Sequence, residues 1–123
     1  MSYLAIFMGG GLGSVSRFLI SSLISKNTAE SFPFGTLIVN LIGAFLIGLL
    51  VEFLALRYSV SENLRYFLIT GFLGGFTTFS AFSLESALMW MRAEYLLLII
   101  YILASVVGTI VAVISATYLA RLV

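Results

Sequence analysis

The residues best suited to hold an ion run Thr70-Gly71-Phe72-Leu73-Gly74-Gly75-Phe76-Thr77-Thr78-Phe79-Ser80-Ala81-Phe82-Ser83. Three glycines and two adjacent threonines make a poor helix: each glycine costs roughly 1 kcal/mol relative to alanine, and each threonine somewhat less. The stretch sits in the third of four hydrophobic runs, at membrane depth. A helix break there is tolerated only where the freed backbone is buried in protein or lines a cavity. Broken membrane helices use such free carbonyls and amides to hold ions. Carbonyl oxygens freed near Gly74 and Thr77 suit a hard cation such as sodium. One chain offers few of them, and two copies meeting at a two-fold axis double the number. Phe79 and Phe82 are three apart and share a helix face. An aromatic ring has a positive edge, so two edges turned into a polar conduit can hold a small anion without a full charge. Taken in isolation, this spacing is ordinary packing. Ser80 and Ser83 flank the pair with hydroxyl donors.

Other runs carry further polar groups. Thr36, Asn40 and Gly43 lie on one helical face. The Asn40 amide either donates to an anion or serves as glue between helices, and spacing alone favours glue. Tyr101, Ser105, Gly108, Ala112 and Ser115 recur at steps of four, three, four and three. This narrow seam reads first as close helix packing, with the Tyr101 and Ser105 hydroxyls available to a pathway. Gly9, Gly13 and Arg17 follow at steps of four. The glycines read as packing positions. Arg17 either snorkels to the interface, attracts anions at a vestibule, or pairs with an acid such as Glu85.

These groups need elements to position them, and composition says which. The chain has 123 residues, of which 62% are hydrophobic and 9% charged. Soluble domains carry about 25% charged residues, so the solvent here is lipid. Four uncharged runs set spans at about 3–25, 34–56, 64–90 and 95–120, each long enough to cross a bilayer. Pro33 stands where a helix start tolerates proline. The connections are short, which leaves one four-helix transmembrane domain over 1–123. The first sixteen residues hold no Lys or Arg, so the N-terminus reads as the start of the first span and not as a cleaved signal.

The absence of cysteine and histidine removes disulfides, thiolate nucleophiles and the commonest catalytic base. With no paired carboxylates either, an enzyme is not expected. A net charge of +1 gives no case for nucleic acid. With the N-terminus placed in the cytoplasm, Arg57, Arg65 and Arg121 fall inside, against Lys26 and Arg92 outside. So small a bias hardly orients a chain. Insertion in both directions, with oppositely oriented copies pairing, is an open alternative to orientation by a single charge.

Three motifs then carry a resemblance. They are Gly9-Gly10-Gly11-Leu12-Gly13-Ser14-Val15-Ser16-Arg17, Gly35-Thr36-Leu37-Ile38-Val39-Asn40-Leu41-Ile42-Gly43, and the segment from Gly71 to Glu85. In this order, in a four-span chain of this length, the sequence resembles the Fluc (CrcB) fluoride channels over essentially its whole length. The resemblance implies an all-α integral membrane protein with four transmembrane helices, the third broken, assembled as an antiparallel dual-topology homodimer. It implies two antiparallel pores exporting fluoride passively, which relieves fluoride toxicity, from a multi-pass position in the cell inner (plasma) membrane. It implies a structural Na+ at the dimer centre on the Gly74 and Thr77 carbonyls. Phe79 and Phe82 would line the pore with ring edges, with Asn40 of the opposite chain as amide donor. Ser80, Ser83, Thr36, Tyr101, Ser105 and Glu85 fall at other pore or polar-track positions, and Arg17 near the vestibule. One position departs: the family pattern is usually Phe-Ser-Thr-Phe, and here it is Phe79-Ser80-Ala81-Phe82.

Two other classes compete. A proton-coupled transporter of the small multidrug resistance type also has four short spans, but relies on a glutamate in the first span, where this chain has no acid. A structural subunit of a larger membrane complex would use the polar seams for packing alone.

Overall fold

The computed structural model describes residues 2–27, 32–57 and 59–123, and among these every regular element is helical. Met1 and Ser31, where the first two uncharged runs begin or are entered, lie outside the described residues. Helix α1 is Ser2–Lys26 and α2 is Phe34–Leu50, which continues into a π-helical turn at Val51–Arg57. The third span starts with the short helix α3, Glu62–Arg65, widens to π-helix over Tyr66–Leu73, and tightens again in α4, Gly74–Phe76. Two more helices follow, α5 at Phe79–Met91 and α6 at Tyr95–Leu122. Four stretches are long and apolar enough to cross a membrane: Ser2–Lys26, Phe34–Leu54, Glu62–Met91 and Tyr95–Leu122.

Local chemistry explains where the elements stop and start. The Ser61 Oγ accepts from the Leu64 N–H at 3.2 Å and starts α3. Thr78 does the same for α5, its Oγ1 accepting from the Ala81 N–H at 3.1 Å. Such caps replace the hydrogen-bond partners that the first turn of a helix lacks. The end of α5 is closed by Ala93, whose φ of 58° lies in the left-handed region. The turn it makes lets the Glu94 N–H return to the Met89 carbonyl at 2.9 Å. Trp90 and Tyr95 pack edge-on across that turn, with ring centres 4.9 Å apart. Both are residues that favour the membrane–water boundary.

Two helix pairs make the framework. Helix α1 lies along residues 66–76, and α2 lies along α6. Glycine allows the first contact. A Cβ on Gly9 would overlap the Phe67 carbonyl oxygen, and one on Gly13 the Phe72 carbonyl oxygen. Backbones therefore touch directly, as small residues permit in membranes.

On α6 the buried positions are Tyr101, Ser105, Ala116 and Ala120, while Ser115 is exposed. The four-three seam read from the sequence thus does not run as far as Ser115. The reason is helical pitch. At about 100° per residue, Ala116 lies about 20° from Ser105 and Ser115 about 80° away. Ala116 accordingly meets Gly48 of α2. The lower end of this pair is closed by an ion pair, Arg121 Nε to Glu52 Oε2 at 3.5 Å, with Glu52 buried.

The third span connects the two pairs. Its first half rests on α1 and its second half, α5, on α6. Thr77 (φ −85°, ψ 157°) and Thr78 (φ −152°, ψ 122°) are extended between them. The chain changes neighbours at these two residues.

Candidate functional site

The geometry at Thr77 and Thr78 redirects specific hydrogen bonds. A continuous helix would send the Thr78 N–H to the Gly74 carbonyl. Here that N–H donates to Asn40 Oδ1 at 2.8 Å. The Ala81 N–H would similarly reach the Thr77 carbonyl, and instead it donates to Thr78 Oγ1. Two carbonyls, of Gly74 and of Thr77, thereby lose their helical donors. They are the two named from the sequence as oxygens for a cation. Gly74 is exposed at the surface of the single chain, and Thr77 is half-buried.

Asn40 holds the redirected strand. Its Nδ2 donates to the Thr78 carbonyl at 3.0 Å while its Oδ1 accepts the Thr78 N–H. One side-chain amide thus satisfies both backbone groups of one residue, 38 positions away. This is the glue role, made within the chain. The amide still has one N–H left to donate, because a primary amide carries two. Gly43, one turn further on, makes room for the approach: a Cβ there would overlap Thr77 Cγ2.

Arg17 also reaches the break. Its Nε donates to the Gly75 carbonyl at 3.1 Å, and Ser14 Oγ contacts the same oxygen at 3.5 Å. The Arg17–Glu85 pairing raised by the sequence does not form. Glu85 Oε1 instead accepts from Thr36 Oγ1 at 2.5 Å.

Beside the break lies a cavity of about 360 Å³. Asn40, Gly74, Thr77, Thr78, Phe79, Phe82 and Ser105 line it, and further residues of α2, α6 and the 66–73 stretch complete the wall. Phe79 is 76% exposed and Phe82 only 9%. Their rings are 5.4 Å apart and inclined at 43°. Phe82 continues to Tyr101 at 5.1 Å, and Tyr101 meets Phe32 edge-on at 5.6 Å. The aromatic pair is therefore one end of a longer row of rings, with Phe79 at the exposed tip. Ser80 and Ser83 are both exposed. Ser80 Oγ lies 3.1 Å from Thr78 Oγ1, and Ser83 Oγ donates to the Phe79 carbonyl at 3.0 Å.

A second polar group sits behind Phe82. Thr36 and Glu85 are bonded to each other there, and Tyr101 and Ser105 are buried nearby on α6. The Tyr101 OH and Ser105 Oγ have no hydrogen-bond partner among the described residues. Buried polar atoms are rarely left unpaired, so these two hydroxyls are available to a partner beyond the described residues. The structure thus gathers Asn40, Gly74, Thr77, Phe79, Phe82 and Ser105 around one cavity, and Thr36, Glu85 and Tyr101 beside it. Arg17 stands apart, on the α1 side of the break.

A family model described as CrcB-like protein, Camphor Resistance (CrcB), matches residues 4–117. The chain belongs to this family. Relatives extend over nearly its whole length. It is 45% identical over 121 residues to a Granulibacter bethesdensis protein, covering 98% of this chain and 95% of that one. It is 49% identical over 113 residues to an Agrobacterium fabrum protein, covering 92% and 90%. A Chelativorans relative is 46% identical over 116 residues, covering 94% and 93%. All three are named fluoride-specific ion channel FluC.

Some residues of this CrcB chain's site escape a reading of the sequence. Thr109 lines the cavity, its Oγ1 donating back to the Ser105 carbonyl at 2.6 Å. Its spacing of four from Ser105 was the available signal. Thr78 stands in the sequence only as a poor helix former; its backbone pairing with Asn40 and its capping of α5 leave no side-chain pattern to read. Ser14 carried no signal beyond its place in the glycine-rich motif.

Proposed function

We propose that the chain is a fluoride-selective passive channel that lets fluoride leave the cytoplasm and so relieves fluoride toxicity. The observation that carries this reading is one cavity that brings the spare Asn40 amide donor, the Phe79 and Phe82 rings and the Ser105 hydroxyl together within a single chain, where the resemblance would take Asn40 from the opposite chain. Fluoride is small and tightly hydrated, so several donors must replace its water at once. Partial positive charges do this without trapping the ion, because conduction needs sites weak enough to leave. Kinship with proteins named fluoride-specific ion channels supports the same substrate.

The conducting unit in this reading is an antiparallel, dual-topology homodimer with two pores. Supporting it is the exposure of Gly74, Phe79, Ser80 and Ser83 on the single chain. Polar backbone and hydroxyls facing lipid are costly, and a second copy covers them. At the two-fold centre the Gly74 and Thr77 carbonyls of both copies would hold a structural Na+, for which neutral oxygen donors are the right chemistry. This third span is then a broken helix in function, with the break as the ion site. The membrane is the cell inner membrane, and the charge balance across the short loops suits insertion in either direction. Ala81 removes a hydroxyl from the track, and the neighbouring serines supply the remainder.

The test is fluoride efflux from liposomes that contain only this protein, with chloride as control. Fast fluoride release with negligible chloride release is expected. No fluoride release from well-folded protein would leave only shared architecture and return the structural-subunit reading.

A further inference from the structure

Arg17 is the one basic residue inside a span core, and its hydrogen bond explains more than its charge does. Helix α1 is seated against the break by glycine: a Cβ on Gly75 would overlap the Gly10 carbonyl oxygen. Two turns further along α1, the Arg17 side chain reaches across and its Nε–H meets the Gly75 carbonyl at 3.1 Å, with Ser14 Oγ on the same oxygen. Gly75 lies between Gly74 and Thr77, two of the residues whose carbonyls lose their helical donors where the chain turns extended. Left uncapped, its oxygen would be a further acceptor in the same turn. The Nε–H donor meets it directly, so this oxygen is taken.

We propose that Arg17 is a positioning residue for the ion site at the break. Its Nε–H holds the Gly75 carbonyl, so that this oxygen does not compete with the Gly74 and Thr77 carbonyls for a cation. The proposal rests on the cation reading given above. Its effect is pre-organisation: the turn keeps one arrangement before the ion arrives, and binding does not have to pull the Gly75 oxygen away from the site.

Side-chain geometry supplies a test that separates this role from attraction of anions. In glutamine the amide nitrogen is the same number of bonds from Cα as Nε is in arginine. Arg17→Gln therefore keeps an N–H donor at that place and loses the charge. Arg17→Lys keeps the charge and puts a methylene there. Arg17→Met keeps neither. Thermal unfolding of the purified full chain is followed while Na+ replaces N-methylglucamine at constant ionic strength. Wild type and Arg17→Gln are expected to half-saturate at the same Na+ within about twofold, and Arg17→Lys and Arg17→Met to need about tenfold more (about 1.4 kcal/mol). The Gln and Lys pair carries the comparison even if Arg17→Met does not fold. A Lys variant that matches wild type while the Gln variant shifts would overturn the proposal in favour of charge. Equal Na+ dependence in all variants would overturn it as well. No Na+ response in wild type itself would remove the cation reading, and the proposal with it.

Discussion

Replacing Asn40 by alanine strips both partners from Thr78 at once. The two bonds are short, 2.8 Å to the N–H and 3.0 Å to the carbonyl, and they lie at membrane depth. Each buried backbone group left unpaired costs about 1–3 kcal/mol, so the loss is about 4 kcal/mol for the pair. Asn40→Asp divides the effect. The carboxylate still accepts from the Thr78 N–H, but it sets a negative oxygen against the Thr78 carbonyl where a donor stood 3.0 Å away. The two oxygens each carry about half a unit charge, so at that distance they repel by about 1.4 kcal/mol at an effective dielectric of about 20, on top of the carbonyl's lost donor. Both variants should therefore lower stability by several kcal/mol, and both should stop fluoride flux because the remaining amide donor goes too. Equilibrium unfolding in mixed micelles, with increasing denaturing detergent, measures the first effect, and liposome efflux the second. An Asn40→Ala protein within about 1 kcal/mol of wild type would refute the clamp. An Asn40→Asp protein that conducts normally would refute the donor role.

Other substitutions separate permeation from folding. Phe79→Ile should abolish or sharply slow fluoride efflux while leaving the dimer intact, read by efflux beside size-exclusion of the purified protein; within one chain the ring is 76% exposed, so the fold of each copy does not depend on it. Phe82→Ile should slow efflux equally but also cost about 1–2 kcal/mol in unfolding, since the buried ring touches both Phe79 and Tyr101. Wild-type flux in either would remove the aromatic role. Gly13→Ala drives a methyl into the Phe72 carbonyl and should cost about 1–3 kcal/mol, read by the same unfolding titration. Ala93→Gly relieves a left-handed residue at φ 58° and should raise stability by about 1 kcal/mol without altering flux. A lower unfolding midpoint would show that the turn gains something from the alanine methyl.

The sequence makes some of this architecture plain and hides the rest for physical reasons. Uncharged runs mark the four membrane-capable stretches because lipid excludes charge, and the run ends fall near Lys26, Arg92 and Arg121. Poor helix formers at Gly74, Gly75, Thr77 and Thr78 point to the place where the chain turns extended. What stays hidden is long-range pairing. The Asn40 amide finds Thr78 across 38 positions and Arg17 finds Gly75 across 58. In both cases the partner is backbone, which leaves no trace in residue identity. Glu85 is a natural candidate for Arg17 by charge, yet it takes the Thr36 hydroxyl. The Glu52–Arg121 pair joins two span ends that the sequence shows only as separate charges. Nor does residue type mark the π-helical stretches at 51–57 and 66–73.

A channel whose cavity by Asn40, Phe79 and Phe82 passes fluoride and rejects chloride shows itself in a planar bilayer holding only this protein, with fluoride salt on one side and chloride salt on the other. The expected current has a reversal potential that follows the fluoride gradient and does not move when chloride is varied. A reversal potential that tracks chloride, or a silent bilayer containing folded protein, would rule the fluoride pore out.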